Sequence, residues 1–592
     1  MDLQARLIIR VMKTGVPQAA RQPDHDACYL ALKTRDARFD GSFFTGVTST
    51  GIYCRPVCRV KTPKPENCRF FDLAAQAEQA GFRPCLRCRP ELAPEVTRWS
   101  IQDSSSVLAQ QAAWLMEPLR SFASRNALPP EGAARLRPGK AGSVPGAWLE
   151  PTVANTAGDA AASTIDSIAA QMGISTRHLR RIFEVQFGVS PLQYLQTRRL
   201  LSAKQLLTDT QLPITEVALA SGFASVRRFN AAFAAHYRLN PTQLRREGTG
   251  QAKRSTPGIT VRLGYRPPYV VAAMLAFFSK RAIDGVESVA GSGHSARIMR
   301  TFGVESGGAL HTGWLRFGFD EPGTQLRLEV SDSLCKVLPL VICRVRALFD
   351  LDADPQAINA ALHTSFPQGD GLRVPGALSG FELAVRAVLG QQVTVAAART
   401  LAQRLALRFG AALETPWPQL NRLFPTAAAL ATSSSDALGG IGIVRQRQAA
   451  IVALARAVHS GQLQLHGGVD VPATIALLKS LPGIGDRTAQ YIAMRALRWP
   501  DAFPAGDVAL HKALGVQAAK NPTREAELAS QPWKPWRSYA VLRAWGAGAA
   551  AANSAASASA VPLGQQQSAD NASPTTRRLP RLRASAGFAT ES

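Results

Sequence analysis

Two close cysteine pairs constrain this chain more than any other feature of it. Three residues separate Cys54 from Cys58 and two separate Cys85 from Cys88, with 26 residues between the pairs. Two thiolate pairs at such spacing can close a tetrahedron around Zn2+, and a short segment poor in large aliphatics then gains its stability from the metal. Five of the eight cysteines lie in this stretch. The fifth, Cys68, breaks the spacing and reads as a free thiol. The opening residues, MDLQARLIIRVMKTG, contain no apolar signal core. A reducing compartment is therefore expected, where thiols and metal ligands are commoner than disulfides.

The remainder must fold as several units, because 592 residues are too many for one core. Lys and Arg total 68 against 42 Asp and Glu, a net +26 that points to a polyanionic partner, most often nucleic acid. The uncharged runs do not read as membrane spans. Residues 267–279 are too short, and 544–569 are too rich in Ser, Gly and Gln.

Residues 25–95 carry the cysteines. SSSVLAQQAAWLMEPL (104–119) reads as one amphipathic helix, and the Pro/Gly/Ala stretch after it, to 163, reads as linker. Residues 164–246 are helical in pattern. Residues 257–345 alternate strand-like runs (GITVRLGY, HTGWLRFGF, QLRLEVS) with one apolar helix, and 346–546 reads as helix after helix. Residues 547–592, rich in Ala, Ser and Gln, read as disordered.

The segment FFTGVTSTGIYCRPVC…AGFRPCLRCRPE resembles the N-terminal domain of the Ada family. The resemblance implies that Cys54, Cys58, Cys85 and Cys88 bind zinc and that Cys54 takes a methyl group from a DNA phosphotriester. Metal binding keeps a sulfur as thiolate, the nucleophilic form. Methylating one thiolate lowers the negative charge of the cluster and so weakens its repulsion of DNA phosphate. Arg55, Arg59, Lys61, Arg69, Arg83, Arg87 and Arg89 surround the cysteines and suit a phosphate-facing surface.

Two helix-turn-helix patterns follow, IDSIAAQMGISTRHLRRIFEVQFG and ITEVALASGFASVRRFNAAFAAHYRLNPTQLRR. Gly173 and Gly222 fall in the turns, and Ser175 and Ser225 open the second helix of each. The double motif resembles the DNA-binding domain of AraC-type activators. Residues 164–246 hold 11 Arg or Lys against four Asp or Glu, a net +7. Arg177, Arg180, Arg181, Arg227 and Arg228 sit early in the recognition helices, the end that reaches base edges. In that family the first helix directly precedes the second, whereas here the linker separates them.

The sharpest motif downstream is LLKSLPGIGDRTAQYIAMRAL (477–497), a helix-hairpin-helix whose Gly483 and Gly485 allow backbone conformations that other residues resist and let backbone N–H groups approach a phosphate. Asp507 follows about twenty residues later, in an apolar setting where a lone Asp is more often a helix N-cap. Together with RPPYVVAAMLAFFSKRAIDGVESV, VPGALSGFELAVRAVLGQQVTV and WKPWRSYAVLRAW, these resemble the AlkA-type helix-hairpin-helix DNA glycosylases from about 257 to 545. The resemblance implies Asp507 as the catalytic carboxylate, Tyr491, Trp545, Arg487 and Val508 in the base pocket, and Gln392 filling the gap left by a flipped nucleotide. An alkylated, cationic base needs an electron-rich pocket and a carboxylate near the sugar rather than a general acid. Arg487 stands where bifunctional relatives carry a Schiff-base lysine, and a guanidinium cannot attack a sugar carbon, so no strand cleavage is expected. Val508 replaces an aromatic of some relatives. No cysteine follows Cys343, which excludes an iron–sulfur cluster in this part. No Pro-Cys-His-Arg motif occurs, so the second methyl acceptor of Ada is not expected.

The fold class read from these patterns is multidomain. It comprises a small zinc-bound α+β domain (25–95), a candidate first helix with linker insertion (104–163) and an all-α double helix-turn-helix domain (164–246). An α+β antiparallel-sheet domain (257–345), an all-α helix-hairpin-helix glycosylase barrel (346–546) and a disordered tail (547–592) complete it. The function implied is methyl transfer to a zinc-bound cysteine, transcriptional activation, and monofunctional release of bases such as 3-methyladenine. The alternative is a transcriptional regulator whose glycosylase-like half binds DNA without chemistry. The cofactor expected is Zn2+. The partners expected are damaged and promoter double-stranded DNA and RNA polymerase, with no membrane, in the bacterial cytoplasm at the nucleoid.

Overall fold

The computed structural model describes residues 24–95, 104–116, 159–248, 258–306 and 308–547. The expected tail from 548 onward, and the linker between 120 and 158, lie outside the described residues. Helix α1 (His25–Thr34) is capped by Asp24, whose carboxylate accepts the backbone N–H of Asp26 at 3.1 Å. Four short strands follow in the order β3-β1-β2-β4. Strand β1 (Phe44–Val47) pairs antiparallel with β2 (Ile52–Cys54) and β3 (Cys68–Phe71), and β2 pairs parallel with β4 (Arg83–Pro84). This parallel register decides the metal site. Tyr53 lies opposite Pro84, so Cys54 and Cys85 leave adjacent strands side by side, and the turn after each returns Cys58 and Cys88 to the same spot. Helix α2 (Ala74–Gln79) closes one side with Ala74, Ala75 and Ala77 buried.

Helix α3 (Ser104–Leu115) docks against α4 (Asp159–Gln171) and α5 (Thr176–Phe187). Ala109, Ala112, Leu115 and Met116 share a core with Ile165, Ile168, Leu179 and Phe183. The separated first helix thus packs onto the second despite the insertion. Helix α4 starts at Asp159, within the stretch that reads as linker. Next come α6 (Pro191–Asp209), α7 (Ile214–Ala220), α8 (Val226–Tyr237) and α9 (Pro241–Gly248). Ser175 and Ser225 accept the backbone N–H of His178 and Arg228 at 3.2 and 3.3 Å, which starts α5 and α8 where expected.

A five-stranded antiparallel sheet follows, in the order β5-β9-β8-β7-β6: β5 (Ile259–Gly264), β6 (Glu287–Ala290), β7 (Arg297–Ser306), β8 (Ala309–Asp320) and β9 (Gln325–Val330). Helix α10 (Val271–Ser279) lies between β5 and β6. The sheet shares one hydrophobic core with the second helix-turn-helix, through Leu200, Phe229 and Phe233 against Val261, Leu263 and Leu328. The all-helical remainder includes α11 (Leu338–Leu348), α12 (Gly380–Leu389), α13 (Val395–Phe409), α14 (Arg445–His459), α15 (Val471–Ser480), α16 (Asp486–Arg495), α17 (Val508–Ala513) and α18 (537–547).

Buried guanidinium groups join these units. Arg266, 1% exposed, donates from Nε to Asp40 O (2.8 Å), from Nη1 to Asp352 O (2.9 Å) and Ala353 O (3.2 Å), and from Nη2 to Pro94 O (3.1 Å) and Glu95 O (2.9 Å). One side chain thereby satisfies carbonyls from the cysteine-bearing segment and from the loop after α11. On another side, Trp114 of α3 stacks on His466 at 4.4 Å, and Gln111 donates to Val469 O at 3.0 Å. A Cβ at Gly468 would meet the Trp114 ring at 2.1 Å, so only glycine admits this contact. Among the described residues no helix is long and apolar enough to cross a membrane.

Candidate functional site

The sulfurs of Cys54, Cys58, Cys85 and Cys88 all lie within 4.8 Å of one another. A tetrahedral Zn–S4 site with bonds near 2.3 Å places its sulfurs about 3.8 Å apart, so the cluster fits Zn2+ in number, ligand type and spacing. Hydrogen bonding among the thiols, first that from Cys54, lowers Cys58 to about 7. Cys54, Cys58 and Cys85 are buried, and Cys88 is the most accessible of the four. The Arg55 backbone N–H points at Cys88 Sγ at 3.4 Å. Cys68 stands apart from the cluster as a buried free thiol whose S–H donates to Lys64 O at 3.3 Å.

Of the seven basic residues around the cysteines, Arg83 is half-buried and the other six divide into two groups. Arg59, Lys61, Arg69 and Arg87 are exposed, as a phosphate-facing surface requires. Arg55 and Arg89 are not on that surface. Arg55 is buried, donates from Nε to Asp40 Oδ1 at 2.8 Å and pairs a second time with the same carboxylate. Arg89 pairs with Glu91 at 2.9 Å and Asp209 at 2.6 Å. Lys204 of α6 reaches into the same region, donating to Cys85 O (3.1 Å) and Glu91 Oε2 (2.6 Å). The cationic shell predicted from sequence is therefore partly an internal brace between the cysteine segment and α6.

On the helix-turn-helix units, Arg177, Arg180, Arg181 and Arg227 are exposed near the start of α5 and α8, and Arg228 is half-buried. The buried faces of those helices hold Leu179, Phe183, Phe229 and Phe233, which leaves the basic residues on the outer face.

In the helical half, α15 and α16 form the hairpin. Gly483 has φ +73, a conformation that resists other residues, and it packs over Ala450. Gly485 departs from the sequence-based account, because its φ of −86 is ordinary. What it supplies is open space, since a Cβ there would meet nothing within 4 Å. Gly485 caps α16 and carries no side chain between the helix N-terminus and an approaching phosphate. Gln392 sits exposed between α12 and α13 with φ +53. Its neighbour Gln391, which sequence reasoning passed over, points inward and donates to Gly483 O (2.9 Å) and Thr488 Oγ1 (3.0 Å). Arg447 of α14 donates to Gln391 O. The two glutamines divide the work: one ties the loop to the hairpin and the other projects.

Asp507 is 3% exposed and is both the N-cap of α17 and the centre of a polar cluster. Its Oδ1 accepts the Leu510 backbone N–H at 2.8 Å and the Trp545 indole N–H at 3.2 Å. Its Oδ2 accepts Arg487 Nε at 2.7 Å and pairs with Nη2 at 2.6 Å. Tyr491 lies one turn after Arg487 on α16, and its ring centroid is 6.4 Å from that of Trp545. The structure thus brings Asp507, Arg487, Tyr491 and Trp545 together. Val508 is 75% exposed at the start of α17.

The electron-rich pocket expected for a cationic base is not what surrounds Tyr491. Its hydroxyl accepts Arg495 Nη1 at 2.6 Å, and the same guanidinium lies 5.4 Å from the ring centroid. Burial pushes the phenol pKa up, but Arg495 and then Arg281 outweigh it and hold the pKa below the ordinary tyrosine value.

Profiles of known families match four successive segments. They are the metal-binding domain of Ada at 27–91, a helix-turn-helix domain at 168–247, the AlkA N-terminal domain at 260–379 and the HhH-GPD superfamily base excision DNA repair protein at 385–538. The sequence is 32% identical over 534 residues to the "probable bifunctional transcriptional activator/DNA repair enzyme AlkA" of Mycobacterium tuberculosis, covering 88% of this chain and 96% of that protein. It is 34% identical over 283 residues to DNA-3-methyladenine glycosylase 2 of Escherichia coli, covering 48% of this chain and 95% of that one. Over 66 residues it is 52% identical to the regulatory protein ada of Salmonella typhimurium, covering 11% of this chain and 19% of that one.

Proposed function

We infer the activity from one premise: the chain belongs to the family of bifunctional transcriptional activator/DNA repair enzymes of the AlkA type. It is a DNA alkylation repair protein. It transfers methyl groups from DNA methylphosphotriesters to a zinc-bound cysteine, activates transcription through its helix-turn-helix domain, and hydrolyses the N-glycosidic bond of alkylated bases such as 3-methyladenine.

In the residue-level mechanism proposed here, Zn2+ held by Cys54, Cys58, Cys85 and Cys88 keeps the acceptor sulfur as thiolate. Cys54 Sγ forms the new S–C bond, the methyl C–O bond breaks, and its electron pair stays on the phosphate as a diester anion. The exposed Arg59, Lys61, Arg69 and Arg87 hold the backbone against the cluster. Arg177, Arg180, Arg181 and Arg227 face promoter DNA, with Arg228 beside them, and bound protein recruits RNA polymerase in the cytoplasm at the nucleoid.

In the helical half, backbone N–H groups at Gly483 and Gly485 grip a phosphate, and Gln392 fills the space left by the flipped nucleotide. The base leaves with the electron pair of the glycosidic bond, Asp507 stabilises the cationic sugar, and water adds to C1′. Tyr491 and Trp545 flank the base, and Val508 faces outward beside Asp507. Arg487 carries no nucleophilic amine, so the abasic strand stays intact.

The observation that carries this reading is the Asp507 carboxylate, held by Leu510, Trp545 and Arg487 just beyond the hairpin. Capping α17 needs only Oδ1, and a half that only binds DNA has no use for an Oδ2 buried and held as closely by Arg487. Purified protein incubated with methylated DNA should release free 3-methyladenine and leave unbroken abasic strands. DNA binding without any base release would favour the regulator-only alternative.

A further inference from the structure

We propose that Arg487 is a specificity-determining residue that favours uncharged damaged bases over cationic ones. The inference rests on the glycosylase reading above and names the substrate class of that same site.

The geometry places two of the three guanidinium nitrogens of Arg487 on Asp507 Oδ2, Nε at 2.7 Å and Nη2 at 2.6 Å. Nη1 makes no hydrogen bond among the described residues. The Arg487 side chain is 51% exposed while that of Asp507 is 5% exposed, so the guanidinium forms the outer layer of the carboxylate. A nucleotide approaching Asp507 meets Arg487 first. Tyr491, one turn further along α16, presents its ring to the same space, and Arg495 and Arg281 add positive charge behind it. Asp507 is thus a carboxylate covered by one guanidinium, with two more beside the neighbouring Tyr491.

The two substrate classes respond oppositely to that charge. A base alkylated on a ring nitrogen enters as a cation and leaves neutral. A guanidinium repels it on entry and has no negative charge to stabilise on departure. An uncharged base enters without penalty and leaves with the electron pair of the N–C1′ bond, as an anion that gains its proton from water. Water adds to C1′ and loses a proton, so charge and atoms balance. Arg487 cannot give up its own proton at neutral pH, but an N–H of Nη1 can donate a hydrogen bond to the departing anion in a half-enclosed site, where such a bond is strong. Because Nε and Nη2 stay on Asp507, the same guanidinium keeps the carboxylate placed for the sugar.

The test uses the full chain and two 25-mer duplexes that differ in one nucleotide, one with hypoxanthine (uncharged) and one with 7-methylguanine (cationic). Single-turnover base release is measured for the wild type and for Arg487→Gln and Arg487→Lys. The wild type should release both bases. Arg487→Gln, which also loosens Asp507, should slow hypoxanthine release at least tenfold more than it slows 7-methylguanine release. Arg487→Lys, which keeps the charge, should retain part of the hypoxanthine rate. Equal slowing of both substrates would make Arg487 a support for Asp507 alone and overturn the proposal. Unaltered rates, or a wild type that releases only the cationic base, would overturn it as well. A wild type that releases neither base would sink the glycosylase reading itself, and the specificity claim with it.

Discussion

The Trp545 indole N–H donates to Asp507 Oδ1 at 3.2 Å, which makes this aromatic part of the support of the carboxylate in addition to its proposed place in the base pocket. Trp545→Phe keeps an aromatic face and removes the donor. A hydrogen bond to a charged group contributes about 1.5–3 kcal/mol. Base release should therefore fall roughly tenfold to a hundredfold in single-turnover assays, with DNA affinity little changed. If stacking alone mattered, Trp545→Phe would release base at nearly the wild-type rate.

The two hairpin glycines should separate stability from DNA binding. Gly483→Ala forces a Cβ into φ +73 and against Ala450 at 3.2 Å, so it should cost about 1 kcal/mol or more in chemical denaturation as well as DNA affinity. Gly485→Ala meets ordinary φ and open space, so the midpoint should hold while affinity for abasic-site DNA falls. Equal affinity loss with equal destabilisation in both variants would contradict this division.

Acid should loosen the junction between the cysteine segment and the helical half. Asp352 is buried. Burial raises its pKa, but the Arg346 guanidinium, with Nε at 3.0 Å from Oδ1, outweighs this and holds the pKa down at about 2. A depressed folded-state value means a contribution that is complete above the ordinary carboxylate range, near 4, and is lost as pH falls from about 4 to 2. The difference amounts to roughly 2–3 kcal/mol. Urea midpoints measured from pH 6 down to 2 should drop steeply below pH 4, and Asp352→Asn, already weaker at pH 6, should show a flatter profile. Parallel profiles would assign the acid sensitivity elsewhere.

Metal and methyl should converge on the cysteine cluster. The protein should hold one Zn2+, and chelation should destabilise the 25–95 segment, whose strands otherwise rest on two small clusters built around Phe43, Phe44, Tyr53, Phe70 and Phe82. After exposure to methylphosphotriester DNA, peptide mass spectrometry should find a single added methyl on Cys54. A methyl on Cys88, the most accessible ligand, would move the acceptor role within the cluster.

Much of this architecture is legible in the sequence because local chemistry announces it. Paired cysteines, serine caps at Ser175 and Ser225, and the Leu-Pro-Gly-Ile-Gly turn each need few neighbours to be read. Strands β6 and β7 were not among the expected elements. Along β7 five consecutive residues, Ile298 to Phe302, are buried, so the alternation that marks a half-exposed strand is missing. Arg55 and Arg89 read as surface cations, since only tertiary structure brings Asp40 and Asp209 to them. Asp507 shows the reverse case. The N-cap and the catalytic reading looked like alternatives in sequence; the structure shows the N-cap through Oδ1, and Arg487 holds Oδ2. The linker separates the first helix from the second in sequence, yet α3 still packs on α4 and α5, because what completes that core is the apolar face and not the length of the connection.

The most direct test of the account is Asp507→Asn. Asparagine caps helices as well as aspartate does, so α17 and the fold should persist, and affinity for DNA should be retained. Removing the negative charge at the sugar should cost about 3–4 kcal/mol of transition-state stabilisation, a fall of roughly 10²–10³-fold in single-turnover release of 3-methyladenine. Undiminished release from Asp507→Asn would contradict the claim that this carboxylate carries the glycosylase chemistry.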